Sequence, residues 1–242
     1  MLANNIANAQ TTGFKIDREL YGKYQPEEAF DAQTGAHDPS LLTGIDDHWT
    51  DFAQGPLQVT GNNLDLALQG KGFFVVEAPG GAALGPQGRV MTRDGHFRLS
   101  PEGRLETSDG YAVLGYRPGP QPNERLAEPL KLDPREAVEA GRDGSLRQRG
   151  AVVGQLLLTE PANPQLLPKR SGNYFSLDPL YLQQPPRQVD VEQGKLEGAN
   201  FSPAEAAVRL VNVMRQFETL QRALQLGGEM NRRAVEDVAR VV

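Results

Sequence analysis

Cysteine is absent from the 242 residues of this chain, which excludes disulfide scaffolds, catalytic thiols and thiolate metal sites. Basic residues are in the minority, with 25 Lys and Arg against 31 Asp and Glu, and this balance argues against binding of nucleic acid. No apolar run approaches the length of about 18 residues that a membrane-spanning helix needs. Residues 1–14 contain no Lys or Arg and no apolar core, which excludes an ordinary cleaved secretory signal.

Side chains suited to catalysis or to metal binding are few. The three histidines, His37, His48 and His96, are not spaced as metal ligands on a helix, and we interpret them as polar loop or strand residues. The Gly70-Lys71-Gly72 sequence lacks the rest of a phosphate-binding loop and is interpreted as a turn, and the chain has no G-x-S-x-G nucleophile motif. We therefore expect no catalytic residue, no cofactor and no metal.

Glycine and proline are abundant, with 26 and 18 residues, and they indicate a chain rich in turns. An apolar and polar alternation from Leu64 to Gln69 places three leucines on one face of a strand. We predict an antiparallel β body over residues 58–190. Four acidic-glycine dipeptides predict tight turns within it, namely Asp94-Gly95, Glu102-Gly103, Asp109-Gly110 and Asp143-Gly144.

The segment before the β body divides into two parts. Leu2, Ile6 and Ala9 recur at spacings of four and three, which predicts the end of a helix within an N-terminal unit of residues 1–15. Residues 16–57 are punctuated by glycine and proline, and we interpret them as an irregular connector that contains the single tryptophan, Trp49.

The C-terminal unit, residues 191–242, is predicted to be a long helix. Ser202, Pro203 and Glu205 form a capping box at its start, and a helix from residue 203 to residue 240 would be about 57 Å long. Such a helix is too long for its own β body to cover, so we favour contacts with other helices over packing on the same domain. Gly227-Gly228 indicates a bend.

Apolar and small residues recur along this helix with the four-then-three spacing of a heptad seam. The seam includes Gly227, Asn231 and Val241. The residues that we predict to contact other subunits are Ala206, Leu210, Val213, Phe217, Leu220, Leu224, Ala234 and Val238.

The segment from Asn4 to Lys15 closely resembles the N-terminal signature of the bacterial flagellar rod and hook proteins. The stretches 55–76 and 92–111 resemble the same family, and so do 194–200 and 215–218, all in the family's order along the chain. The motif residues that carry the N-terminal resemblance are Asn4, Asn5, Asn8, Thr11, Thr12, Gly13 and Phe14.

The resemblance implies a structural protein of the bacterial flagellar basal body, not an enzyme. It implies export through the flagellar type III apparatus without signal cleavage, and helical assembly into a rod that spans the periplasm. The terminal helices would form one discontinuous helical domain in the inner wall, with the β body outside. Partners would be other rod and hook-basal-body subunits and further copies of the chain, close to peptidoglycan and ring proteins, with no nucleic acid and no membrane insertion.

The position in the rod is less defined by the sequence. The stretch 51–61 favours a proximal rod protein, with a distal rod or hook subunit as the alternative. A secreted β-rich module that binds cell-wall glycans is an alternative from another class. Family members usually carry further residues before the Asn4-Asn5 pair, so we expect part of the N-terminal helix to be missing.

Overall fold

The computed structural model describes residues 2–24, 42–79, 88–118, 127–161, 163–164, 167–177, 183–184 and 188–240. Helix α1, Leu2–Ala7, and helix α2, Pro203–Arg240, lie at the two ends of a chain that is otherwise built of strands. The two helices contact each other, so α1 lies beside α2. The predicted fold class, mainly antiparallel β with terminal helices, is confirmed.

The strands are short, as expected of a chain rich in turns. In chain order they are β1 Asp17–Tyr24, β2 Leu42–Thr50, β3 Leu57–Val59, β4 Leu66–Gly70, β5 Phe73–Glu77, β6 Arg89–Thr92, β7 Phe97–Leu99, β8 Leu105–Thr107, β9 Ala112–Tyr116, β10 Glu128–Pro129, β11 Glu139–Ala140, β12 Ser145–Gln148, β13 Ala151–Leu156, β14 Leu158–Pro161, β15 Lys169–Ser171, β16 Tyr174–Ser176, β17 Gln183–Gln184, β18 Val189–Gln193 and β19 Lys195–Glu197.

One large sheet dominates the body. Its main path runs β11-β12-β13-β9-β5-β6-β16-β15, and β7, β8, β10, β14 and β17 attach to the strands of that path. Three further antiparallel pairs, β1 with β2, β4 with β18 and β3 with β19, flank it. The last two pairs join the start of the body to the segment just before α2.

The core fills the space between these sheets. Leu66 and Leu68 of β4 are buried, as the period-two pattern predicts, but Ala67 between them is buried too, so the strand is covered on both faces. Leu64 is only partly buried at the edge of the same cluster. Phe74 of β5 and Phe97 of β7 meet edge to face with ring centroids 5.1 Å apart. Each fully buried side chain of this kind contributes roughly 1.5–3 kcal/mol to folding, so the core fixes the strand register.

Three of the four predicted acidic-glycine turns join paired neighbouring strands. Glu102-Gly103 connects β7 to β8, Asp109-Gly110 connects β8 to β9, and Asp143-Gly144 connects β11 to β12. The hairpin predicted at Asp94-Gly95 is wrong, because β6 and β7 on its two sides do not pair. Gly95 instead serves close packing: a Cβ there would lie 1.6 Å from the carbonyl oxygen of Leu66.

The prediction of an irregular connector is wrong for residues 17–24 and 42–50, which form β1 and β2. These strands pair antiparallel from Asp17 opposite Thr50 to Tyr24 opposite Leu42. Both strands carry charged residues and a glycine, so they lack the apolar alternation that indicates a half-buried strand. Residues 25–41 of the connector lie outside the described residues.

The sheet also extends past residue 190 into the unit predicted to be helical. Strands β18 and β19 occupy residues 189–193 and 195–197, and α2 begins only at Pro203. The N–H of Glu205 lies 3.5 Å from Oγ of Ser202, which places Ser202 as the N-cap. The helix then continues through Gly227-Gly228 to Arg240. No helix in the described part of the chain is both long and apolar enough to cross a membrane.

Candidate assembly interface

Helix α2 leaves the β body after its first turn. Ala206 is fully buried, whereas every residue from 207 to 230 is exposed. Large apolar side chains lie in this exposed stretch, from Leu210 at 40% exposure to Leu224 at 77%. An unbroken apolar face of this length on a soluble helix is typical of a surface that binds another protein.

The predicted contact residues fall into three groups. Five of them lie exposed along the free part of α2: Leu210, Val213, Phe217, Leu220 and Leu224. Ala206 differs from the prediction, because it is buried within its own chain and is not accessible to a neighbouring subunit. Ala234 and Val238 belong to α2, but their side chains lie outside the described part of the structure, and Val241 lies outside the described residues.

The exposed apolar surface is wider than the heptad seam. Further large apolar side chains lie beside or behind it on α2: Val208, Val211, Met214, Leu226 and Met230. Met214 lies four residues after Leu210 and three residues before Phe217, so it is a neighbour of both on the helix surface. This spacing could have predicted from the sequence that Met214 belongs to the apolar surface. Arg215 and Arg222 lie on the far side of the helix from Phe217, together with Val208 and Leu226, so that side carries both charged and apolar residues.

The N-terminal motif does not contribute to this exposed face; it fixes the start of the chain. The Asn5 amide group donates to the carbonyl oxygen of Asp17 at 2.9 Å and accepts from the N–H of Asp17 at 3.2 Å. Asn8 donates to the carbonyl oxygen of Asn4 at 2.9 Å, and Thr11 donates to Oδ1 of Asn8 at 3.3 Å. These bonds close the end of α1 and hold it against β1.

The next two motif residues attach this turn to the β body. The hydroxyl of Thr12 donates to Oδ1 of Asp94 at 2.7 Å, and the N–H of Gly13 donates to the carbonyl oxygen of Glu197 at 2.7 Å. Gly13 has a φ of +67°, and a Cβ there would lie 2.5 Å from the carbonyl carbon of Arg93. Only glycine can both adopt this positive φ readily and leave room for the backbone of Arg93.

Phe14 completes the attachment by filling a small apolar cluster. Its side chain is fully buried with Ile16 and Ala199, and Phe201 packs against them. Asn200 adds a hydrogen bond between the N-terminal segment and the segment before α2, a contact region that we call the joint: its Oδ1 accepts from the N–H of Ile16 at 3.0 Å. The motif is thereby packed against the segment that leads into α2.

A buried cluster of three charged groups, which the sequence did not reveal, lies under this joint. The carboxylate of Glu197 accepts from Lys15 at 2.6 Å and from Arg93 at 3.1 Å, and it also accepts from the N–H of Gly55 at 2.9 Å. Burial lowers the pKa of both Lys15 and Arg93, and the nearby Glu197 carboxylate opposes this effect. The three residues lie far apart in sequence, which is why no local pattern indicated them.

No group of three or more His, Cys, Asp or Glu side chains that could hold a metal occurs in the part of the chain that the structure describes. His96 is half exposed, and its Nδ1 lies 2.8 Å from Oδ1 of Asp65. His48 lies on β2, and His37 is outside the described residues. The Gly70-Lys71-Gly72 turn connects β4 to β5, as its interpretation as a turn predicts.

Comparison with known proteins assigns the family. The family model described as "Flagellar hook protein FlgE/F/G D1 domain" matches residues 67–152, and the model "Flagellar basal body rod FlgEFG protein C-terminal" matches residues 192–236. The chain is 32% identical to the flagellar basal-body rod protein FlgF of Caulobacter vibrioides, in an alignment covering 100% of this chain and 91% of the relative. The chain belongs to the flagellar rod and hook protein family.

Other members of the flagellar rod and hook family show similar likeness. FlgF of Mesorhizobium japonicum is 32% identical over 90% of this chain and 81% of its own length. The rod protein FlgG of Agrobacterium fabrum is 28% identical over 95% of this chain and 89% of its own length. The predicted resemblance is confirmed, and the chain is a structural protein of the flagellar basal-body rod. The C-terminal family model spans the whole exposed stretch of α2, residues 207–230.

Proposed function

We propose that this rod protein assembles with other subunits of the flagellar basal body by burying the exposed apolar face of α2. The observation that supports this most directly is the exposure of Phe217, Leu220 and Leu224, at 60%, 64% and 77%. Full burial of one such side chain contributes roughly 1.5–3 kcal/mol, so a row of them supplies ample free energy for association. The α1–α2 contact, together with the bonds of the N-terminal motif to the segment before α2, attaches the start of this helix to the β body.

The similarities favour a proximal position in the rod. Three FlgF proteins match at 30–32% identity over 90% or more of this chain, three FlgG proteins match at 26–28%, and two FlgE hook proteins match at 30% and 35% over only 72% and 47% of this chain. A distal rod or hook position is the alternative. In the proximal rod, the chain would be exported by the flagellar type III apparatus without signal cleavage and would act as a structural subunit without catalytic activity.

The α2 face is tested by placing charge on it. A strain that lacks the gene is complemented with a variant carrying both Phe217→Asp and Leu224→Asp. Because both side chains are exposed in the isolated subunit, the variant folds normally, but two buried carboxylates prevent association. We expect loss of swimming, and basal bodies whose rods stop short, with normal amounts of the subunit in the cell.

The matched control carries Thr219→Asp and Arg222→Asp on the other side of the same helix. It has the same number of new carboxylates, with one more unit of negative charge because Arg222 is lost, and it should restore motility. A motile strain with the Phe217 and Leu224 changes would contradict the proposed interface.

A further inference from the structure

An open cleft of about 360 Å³ lies beside the end of β2. Its apolar wall is formed by Trp49, Phe52 and Phe73, and its polar side includes Lys71 and Arg93. The volume is at the small end of the range for ligand pockets, about 300–1,000 Å³, and suits one or two side chains. No residue that lines the cleft belongs to α2.

Arg93 lines this cleft with an unused hydrogen-bond donor. The side chain is buried, its Nη1 donates to Glu197 at 3.1 Å, and its Nη2 donates to the carbonyl oxygen of Gly70 at 2.6 Å. The guanidinium carbon lies 5.2 Å from the centre of the Phe73 ring. Its Nε is buried and has no acceptor among the described residues. A buried donor without a partner is costly, and an oxygen of a bound ligand would satisfy it.

The charges behind the cleft leave a surplus of positive charge. Lys15 and Arg93 share the single carboxylate of Glu197, and all three side chains are at least nine-tenths buried. The cluster has two cations for one carboxylate, and Asp51, which lines the cleft, is a nearby acid that also favours the charged form of Lys15. An anion in the cleft would reduce that imbalance.

The acidic groups that line the cleft already have partners. Asp51 accepts from Nε of Arg18 at 2.9 Å and from the N–H of Ala53 at 3.0 Å. Glu160 is engaged in an interaction of its own. Lys71 is exposed and adds a cation to the lining. The lining thus holds two acidic and two basic groups, and the basic groups, Lys71 and Arg93, are the ones with donors left for the carboxylate of a ligand.

We propose that this cleft binds an acidic side chain that follows an aromatic residue in a peptide segment of a partner protein. The carboxylate would accept from Arg93 and from Lys71 in charge-assisted hydrogen bonds. The aromatic ring of the ligand would pack against Trp49 and Phe52, since aromatic pairs are stabilised beyond their buried area. The proposal goes beyond the role of α2 in assembly and does not depend on it.

The cleft contains its own reporter, because Trp49 is the single tryptophan of the chain. We would titrate the full chain with the blocked dipeptide acetyl-Phe-Glu-amide and follow the fluorescence of Trp49. The isosteric probe acetyl-Phe-Gln-amide has the same shape without the charge. We expect saturable binding of the Glu probe and at least fivefold weaker binding of the Gln probe.

Lys71→Gln is the matching protein variant, since this exposed side chain can be changed without disturbing the buried cluster. It should weaken binding of the Glu probe at least threefold and leave the Gln probe almost unchanged. Lys131→Gln removes the same charge from an exposed position that does not line the cleft, and it should bind both probes like the unaltered chain.

Three results would overturn the proposal: equal binding of the two probes, an unchanged affinity in Lys71→Gln, or no fluorescence response from the folded chain. The Phe217→Asp and Leu224→Asp variant should bind the Glu probe normally. Failure of the cleft and failure of the assembly face are therefore distinguishable.

Discussion

The ammonium group of Lys15 lies 2.6 Å from Oε1 of Glu197, and this contact joins residues 182 positions apart in the sequence. Neither side chain has any exposed surface. Lys15 ends the N-terminal motif, and Glu197 ends β19 just before the link to α2. The ion pair thus ties the N-terminal motif to the segment that leads into α2. Arg93, at the end of β6, anchors the same carboxylate to the large sheet.

Glu197→Gln should destabilise the fold strongly. The change leaves two buried cations without a carboxylate, and breaking a buried pair in this way costs about 3–5 kcal/mol. Urea unfolding followed by circular dichroism measures the loss. The control is Glu192→Gln, which breaks the partly exposed pair with Lys195 and should cost less than about 1 kcal/mol. Equal losses in the two variants would show that the buried cluster is not important for stability.

Gly13→Ala should destabilise the joint more than a glycine replacement that changes only backbone conformation. Gly13 has φ +67°, and its new Cβ would lie 2.5 Å from the backbone of Arg93. Gly61 has φ +74° with nothing within 4 Å of the Cβ position, so Gly61→Ala carries the conformational cost alone, about 1–2 kcal/mol. Urea unfolding should give Gly13→Ala a clearly lower free energy of unfolding than Gly61→Ala. If the two variants unfold together, the close approach of Gly13 to Arg93 does not constrain the fold.

Asp94→Asn should remove the loss of folding stability that occurs when the buried carboxyl group of Asp94 ionises. Burial raises the pKa of Asp94 above its ordinary value of 3.8, although bonds from Thr12 and His96 oppose the shift. Because the folded state holds this proton more tightly than the unfolded state, stability falls as the pH rises from 3.8 through the raised pKa. The asparagine keeps an accepting oxygen for Thr12 but has no charge. The variant should therefore gain stability relative to the unaltered chain as the pH rises, when unfolding is measured across that window.

Asp143→Asn is a control in which the expected change in folding stability has the opposite sign. Hydrogen bonds from the hydroxyl and the N–H of Ser145 lower the pKa of Asp143, so its charge stabilises the folded state above the ordinary value of 3.8. That contribution is lost as the pH falls through the lowered pKa. Asp143→Asn should thus be less stable than the unaltered chain at neutral pH and equal to it in acid. The same sign of difference for both variants would contradict these assignments.

Local patterns predicted α2, its N-cap and the leucine face of β4, because each depends on neighbours within a few residues. They did not predict β1 and β2, whose pairing depends on backbone bonds between polar segments. They also missed the cluster of Lys15, Arg93 and Glu197, which only the folded chain brings together. The exposure of α2 was indicated by its length and not by its heptad pattern, since the same pattern would suit a helix packed on its own body.

Hydrogen exchange should separate α2 from the β body in the isolated subunit. Residues 207–230 of α2 are exposed all round, and a helix without tertiary packing opens readily because packing provides most of its stability. The amides of α2 beyond Ala207 should exchange at least about a thousandfold faster than those of β5 and β6, whose opening requires disruption of the core. Mass spectrometry of peptides from these segments gives the comparison directly.

The same experiment on assembled rods gives the second half of this prediction. Burial of Leu210 to Leu224 against neighbouring helices should slow exchange in that segment, while β5 and β6 change little. The Thr219→Asp and Arg222→Asp variant should show the same protection, because its new charges lie away from the apolar row. Strong protection of α2 already in the monomer would mean that the helix has a partner within its own chain, and the assembly face would then have to lie elsewhere.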